Sequence, residues 1–168
     1  MSRTVTLDFY PEAFVFNIAH FTIFSPTHRE RWHGHSYSVA ASVTSRINEP
    51  GITFDYQLFK NKLSSICAKL NYYFILPERS PYLQITGRDD GYRVVFDGDE
   101  MVFLKKDVIL LPIENTTLED FSQWFIEQLS SDGAFIQKYG IAAMTVKVFN
   151  SRTQSASAHW AEKNALVS

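Results

Sequence analysis

The sequence is poor in cysteine: Cys67 stands alone among 168 residues. One thiol cannot close an internal disulfide, which fits a reducing compartment, and it excludes the multi-thiolate sites that usually hold structural zinc. An excess of charge is also missing. Sixteen Lys and Arg against eighteen Asp and Glu leave a formal net charge of -2 and a pI near 6.2, so no basic surplus exists to neutralise phosphates, and nucleic acid is not expected as a main partner. No apolar run approaches the roughly 20 residues that cross a bilayer. The first residues, MSRTVT, lack the basic end and apolar stretch of a secretory signal. A cytoplasmic protein with no membrane partner is the expectation. Internal repeats and low-complexity linkers are absent as well.

What is present is a composition that folds. Hydrophobic residues make up 45% of the chain, and fourteen phenylalanines promise an aromatic core. The length suits one domain covering residues 1-168. Cys67 falls in step with Phe59, Leu63, Ile66 and Leu70 at helical spacing, so it reads as a small core residue rather than a nucleophile.

Hydrophobic periodicity gives the elements. From Thr4 to Phe24 the alternation predicts one long strand, with Phe14, Phe16, Ile18, His20 and Thr22 on one side. From His33 to Val43 it predicts a second, with His33, His35, Tyr37, Val39, Ala41 and Val43 on its inner face. Asn48, Glu49, Pro50 and Gly51 read as a turn before a short strand, Ile52 to Phe54, and a helix over Tyr56 to Leu70. Tyr92 to Phe96 and Met101 to Leu104, joined across Asp97-Gly98, read as a hairpin to which Val108 to Leu111 adds a third short strand, within an insertion at about 78-112. Thr116 is placed as a helix cap with Glu119 reaching back, ahead of an apolar face of Leu118, Phe121, Trp124, Phe125 and Leu129, and Gly133 or Tyr139-Gly140 ends that unit. Ala143 to Phe149 is a last strand, and His159-Trp160 belongs to a further one. This order predicts an α+β fold: an antiparallel sheet with two helices on one face. The sheet's edges need cover, and self-association is one way to supply it.

The spacing His-x-His puts the His33 and His35 imidazoles on one face of a strand with Cβ atoms about 7 Å apart, close enough to share an ion. His20 lies on the inward face of the preceding strand and can supply a third nitrogen. Three neutral imidazoles leave one position of a tetrahedral zinc free for water or substrate. The alternative from spacing alone is three hydrogen-bonded core histidines. Cobalt, nickel and iron also accept imidazole.

The segments Phe16-Asn17-Ile18-Ala19-His20-Phe21, His33-Gly34-His35-Ser36-Tyr37, Gly51-Ile52-Thr53-Phe54-Asp55-Tyr56 and Asn115-Thr116-Thr117-Leu118-Glu119 resemble, in order and spacing, the 6-pyruvoyl tetrahydropterin synthase and 6-carboxytetrahydropterin synthase family. The resemblance runs from about residue 5 to 158. It implies the T-fold, assembly into an oligomeric barrel with active sites between subunits, zinc on His20, His33 and His35, and a small heterocyclic substrate.

Three departures from the family pattern bear on chemistry. A cysteine expected just before His33 is absent, and Glu30 stands in a Glu-x-x-His-Gly-His arrangement that resembles a branch in which glutamate takes its place. Glu30 is then a candidate general base; the alternative is a loop glutamate paired with Arg29 or Arg31. An Asp-His pair is replaced by Asn71-Tyr72, where Tyr72 is either a proton donor or packing, and a phenol is in general a weak acid near neutrality. A carboxylate that grips the pterin ring falls on Asn150, whose amide has one acceptor and one donor group and would suit a lactam or uracil-like edge; the alternative is a strand-end turn residue. Thr117 and Glu119 resemble residues that reach a neighbour's pterin site, and a role in starting the helix explains them equally well. The expected function is a zinc-dependent lyase acting on a reduced pterin or pterin-like heterocycle. The second reading is a catalytically silent zinc-binding homologue that serves as a ligand-binding or complex-forming subunit.

Overall fold

The computed structural model describes residues 3-47 and 50-162. Fifteen regular elements follow the chain: β1 (Thr4–Phe9), β2 (Val15–His20), β3 (Ile23–Ser25), β4 (His28–Arg29), β5 (His33–Arg46), α1 (Tyr56–Leu70), β6 (Tyr73–Pro77), β7 (Gln84–Gly87), β8 (Gly91–Phe96), β9 (Asp99–Leu104), β10 (Val108–Leu111), α2 (Leu118–Ser130), α3 (Gly133–Lys138), β11 (Ile141–Phe149) and β12 (Ser155–Ala161). Seven strands form the main sheet in the order β10-β6-β2-β5-β11-β12, with β1 continuing beside the far half of β5. It is antiparallel from β2 to β12, while β6 runs parallel to both β2 and β10.

The expected strand from Thr4 to Phe24 is broken into three. Pro11 has no N–H to give to a ladder and opens a short 3-10 turn over Pro11–Ala13. That turn lets β1 and β2 both pair with β5, the first along Ala41 to Arg46 and the second along His33 to Ser38. β5 consequently runs to Arg46, three residues past the expected end. The expected turn at 48-51 is described only from Pro50 onward, with Gly51 at φ 100, since Asn48 and Glu49 lie outside the described residues. The short strand at Ile52 reduces to a single bridge.

Helices α1 and α2 cover one face of the sheet. Asp55 caps α1 by accepting from the Gln57 N–H, and the helix buries Phe59, Leu63, Ile66, Cys67 and Leu70. Thr117, not Thr116, caps α2 by accepting from the Asp120 N–H. Two adjacent threonines are equally able to cap, and Thr116 is occupied elsewhere: its hydroxyl donates to the Phe21 carbonyl at 2.7 Å. Gly133 does not stop a helix but starts α3, which Asp132 caps. Beneath the helices Phe16 stacks on Tyr37 with ring centroids 5.2 Å apart and meets Phe121 and Phe125. Burying side chains of this size contributes roughly 1.5–3 kcal/mol each and locks β2 and β5 in one register.

The insertion differs from expectation at both ends. The hairpin β8-β9 gains its third strand from β7, ahead of it, and β10 instead returns to the main sheet beside β6. The 3-10 turn Lys105–Asp107 redirects the chain between them. This small sheet shares a second core with the edge of the main one, built from Phe21, Phe74, Leu76, Val94, Phe96 and Phe103. Among the described residues, no helix is long and apolar enough to cross a membrane.

Candidate metal centre

The histidines meet where β2 ends and β5 begins. Antiparallel pairing sets Phe16 opposite Tyr37, Ile18 opposite His35 and His20 opposite His33, so alternation on both strands brings three imidazoles to one face. One nitrogen from each lies within 4.8 Å of the others. The cluster grades outward from His20, buried at 2% exposure, through half-buried His35 to exposed His33.

The surroundings of each ring fit a metal. The second nitrogens of the two β5 histidines are engaged by backbone oxygens: His33 Nδ1 lies 2.9 Å from the Arg31 carbonyl and His35 Nε2 lies 3.3 Å from the Asn150 carbonyl. Such contacts orient an imidazole and leave its other nitrogen free to ligate. His20 Nε2 sits 3.2 Å from the Tyr37 hydroxyl, while its buried Nδ1 has no hydrogen-bond partner among the described residues. The Thr116 backbone lies close enough to favour a proton on this ring but makes no well-formed bond with Nδ1. Burial, reinforced by repulsion from His33 and His35, lowers the His20 pKa to about 4, so the ring is neutral near pH 7, the form a metal requires.

Glu30 stands at the rim. Its N–H donates to the Thr22 carbonyl at 2.9 Å, and the Thr22 N–H donates back to Glu30 Oε2 at 3.0 Å. Burial pushes its carboxyl pKa up, but the Thr22 hydrogen bonding and the nearby His33 and His20 outweigh this, and the net shift is downward. Arg29 is not its ion-pair partner. That guanidinium donates to the Glu30 backbone carbonyl at 2.8 Å and lies over the rings of Phe21 and Phe96.

A cavity of about 360 Å³ joins these groups, and Glu30, Thr117, Glu119 and Asn150 all line it beside the three histidines. The Asn150 side-chain oxygen is buried there without a partner among the described residues. Phe24, 58% exposed, and Gln154 also line the cavity, and neither was singled out from sequence. Thr22 was placed only as a member of the inward face, and its role as the holder of Glu30 was not visible.

Asn71 and Tyr72 are not brought to this cavity within one chain. Asn71 Oδ1 accepts from both the backbone N–H and the side-chain amide of Asn17, pinning the end of α1 to β2. Tyr72 is 82% exposed with φ 68, a left-handed conformation uncommon outside glycine. It borders a separate depression with Asn17, Gly34, His35 and Ser36, and does not line the cavity that holds all three histidines.

Residues 11-161 match the model of the 6-pyruvoyl tetrahydropterin synthase family. A crystal structure of 6-pyruvoyl tetrahydropterin synthase from Plasmodium vivax superposes with a TM-score of 0.88 at 29% identity, covering 95% of this chain and 99% of that one. A variant of the Plasmodium vivax protein, described as a catalytic-residue mutant in which glutamate becomes cysteine, superposes at 0.89 with the same identity and coverage. A Methanocaldococcus jannaschii protein provisionally named 6-carboxy-5,6,7,8-tetrahydropterin synthase is 30% identical over 99 residues, 58% of this chain and 61% of its own length. The match therefore spans about three fifths of that relative.

Proposed function

This chain belongs to the 6-pyruvoyl tetrahydropterin synthase family and has its T-fold, and we propose that it is a zinc-dependent lyase acting on a reduced pterin or pterin-like heterocycle that carries a side chain. The observation that supports this most is the convergence of His20, His33, His35 and Glu30 on one cavity with Thr117, Glu119 and Asn150. Zinc held by the three imidazoles would supply Lewis acidity to oxygens of the substrate side chain.

The chain's own groups divide the remaining work. Glu30, ionised and fixed by the Thr22 N–H, is the group that takes a proton from the side chain. A glutamate described as a catalytic residue in the Plasmodium vivax relative supports that role. Thr117, Glu119 and Asn150 provide polar contacts for the ring, and Phe24 provides an aromatic face at the mouth. Asn71 and Tyr72 serve catalysis only if a second copy of the chain presents them to its neighbour's cavity, and a homo-oligomer with sites at subunit interfaces is part of the proposal.

Incubating the zinc-loaded protein with dihydroneopterin triphosphate and related heterocycles, with mass spectrometry of the products, tests the reading. Turnover that Glu30→Gln abolishes at unchanged metal content supports it. Retention of the heterocycle without product favours the silent ligand-binding homologue, and the exposed, displaced Tyr72 is the observation on that side.

A further inference from the structure

Glu30 lies in a segment that regular backbone pairing does little to hold. The ribbon β3-β4 ahead of it has two residue pairs, Ile23 with Arg29 and Ser25 with His28, and an isolated two-stranded ribbon is at best marginally stable in water. Residues 29-32 have instead two side-chain anchors, one on each side of Glu30. The Arg29 guanidinium lies 4.9 Å from the centre of the Phe21 ring and 5.7 Å from that of Phe96, and it makes no ion pair among the described residues. It also donates to the Glu30 carbonyl at 2.8 Å. Trp32 meets Phe74 and Phe103 edge to face, with ring centroids 5.5 Å and 5.7 Å away, and those two phenylalanines are themselves 4.6 Å apart.

Each anchor joins the main sheet to the insertion. Phe21 directly follows β2 and Phe74 belongs to β6, whereas Phe96 ends β8 and Phe103 sits in β9. All four rings are buried in the second core. A guanidinium is drawn to aromatic faces, and aromatic edges to the faces of other rings, so both contacts set orientation as well as distance. Trp32 keeps 58% of its surface exposed, and the two ring contacts, not enclosure, hold it. Neither Arg29 nor Trp32 lines the cavity. Resting on the reading of Glu30 as the group that takes the proton, we infer that the insertion sheet β7-β8-β9 sets the position of the Glu30 carboxylate, with Arg29 and Trp32 as positioning residues that transmit the hold of Phe96 and Phe103. Fixing the residues on either side of Glu30 restricts its backbone and keeps Oε2 at 3.0 Å from the Thr22 N–H, on the rim of the cavity. A displacement of about 1 Å in such a group can cost roughly 100-fold in rate, so contacts outside the cavity control the chemistry inside it.

The test compares Arg29→Met and Trp32→Ala with the wild type as zinc-loaded full chains, and adds Trp32→Phe, which keeps an aromatic edge for Phe74 and Phe103. Hydrogen exchange at the Thr22 amide reads its bond to the Glu30 carboxylate directly. It is expected to quicken by about tenfold or more in Arg29→Met and Trp32→Ala and to return close to the wild-type rate in Trp32→Phe, with the amides of β8, β9 and α1 protected as before. Steady-state turnover of dihydroneopterin triphosphate is expected to show kcat lowered by about tenfold or more in the first two variants, with KM and metal content unchanged. Unchanged exchange at Thr22 in both variants overturns the inference, as does quickened exchange with kcat intact. Loss of bound metal in Trp32→Ala, or a raised KM at constant kcat, also overturns it, because the anchors would then serve His33 or the ligand. A wild type without turnover defeats the reading of Glu30 as a base, and exchange at Thr22 alone then decides whether the insertion holds its carboxylate.

Discussion

His20 and His33 are register partners across the β2–β5 ladder, with ring centroids 4.8 Å apart at an interplanar angle of 60°. They come from strands separated by twelve residues of hairpin and loop, yet their relative position is set by the backbone hydrogen bonds of an antiparallel pair. The same ladder places His35 two residues further along the same face. A metal centre built this way inherits the rigidity of the sheet instead of depending on loops.

Removing one ligand should therefore empty the site without unfolding the protein. Wild type purified without chelators is expected to carry about one transition ion per chain. His33→Ala, at the exposed end of the cluster, should weaken metal binding by about 100-fold or more while leaving the circular dichroism spectrum intact. Inductively coupled plasma mass spectrometry and a competitive chelator titration measure both. Full metal occupancy in His33→Ala would remove His33 from the ligand set.

Acid should destabilise the metal-free protein through His20. The ring titrates at about 4 in the folded chain against 6.5 for an exposed histidine. Above pH 6.5 it is neutral in both states and contributes nothing to the pH dependence. As the pH falls from 6.5 toward 4, the unfolded chain takes up the proton first, and stability drops by about 3 kcal/mol in total. Urea denaturation of the metal-free protein at several pH values should show this loss, and His20→Gln should flatten it. A stability profile that is level between pH 6.5 and 4 in both proteins would mean the buried ring is not neutral by burial.

The insertion depends on a glycine for a steric reason. A Cβ placed on Gly91 would sit 1.8 Å from the Phe103 carbonyl oxygen and 2.9 Å from its carbon, both backbone atoms of the paired strand β9. No rotamer change relieves such a contact. Gly91→Ala is expected to part β8 from β9 at a cost of roughly 2 kcal/mol or more. Hydrogen exchange should quicken across residues 84-104, with protection in α1 and α2 kept. Gly87→Ala, whose added Cβ meets nothing within 4 Å among the described residues, is the control.

The parts of the site carried by strand periodicity were legible in the sequence, and those carried by loop contacts were not. His20, His33, His35 and Tyr37 share one face because successive strand residues alternate, and any register that buries Phe16 and Val39 puts them there. Pro11 was the available sign that the first strand breaks, and the apolar run around it hid that sign. The sequence of Leu70 to Pro77 has no polar alternation because β6 lies between β2 and β10 with Phe74, Ile75 and Leu76 all buried, and so its strand character was not recognised. Glu30 was singled out because its Glu-x-x-His-Gly-His arrangement resembles a branch of the family, but its fixing by Thr22 was not visible, because a backbone N–H leaves no trace in the identity of the residue that bears it.

One polar side chain holds that rim together, and its loss should be measurable. Asn115 stands before α2 and grips both backbone polar groups of Ile23: its Oδ1 accepts from the Ile23 N–H at 3.0 Å and its Nδ2 donates to the Ile23 carbonyl at 2.7 Å. Asp120 in turn holds the Asn115 N–H at 2.7 Å, and Thr116 secures the Phe21 carbonyl. Thr22, between these two anchored residues, presents the N–H that fixes the Glu30 carboxylate. Asn115→Ala leaves a half-buried N–H and C=O to find other partners, and the expected loss is about 2 kcal/mol, a fall in Tm of roughly 4–8 °C. Because the core packing of α2 is untouched, the loosening should be local: the amides of Thr22, Ile23 and Glu30 should exchange faster than those of Phe121 and Phe125. Equal acceleration at both places would show that Asn115 supports the helix start alone and has no special hold on the segment that carries Glu30.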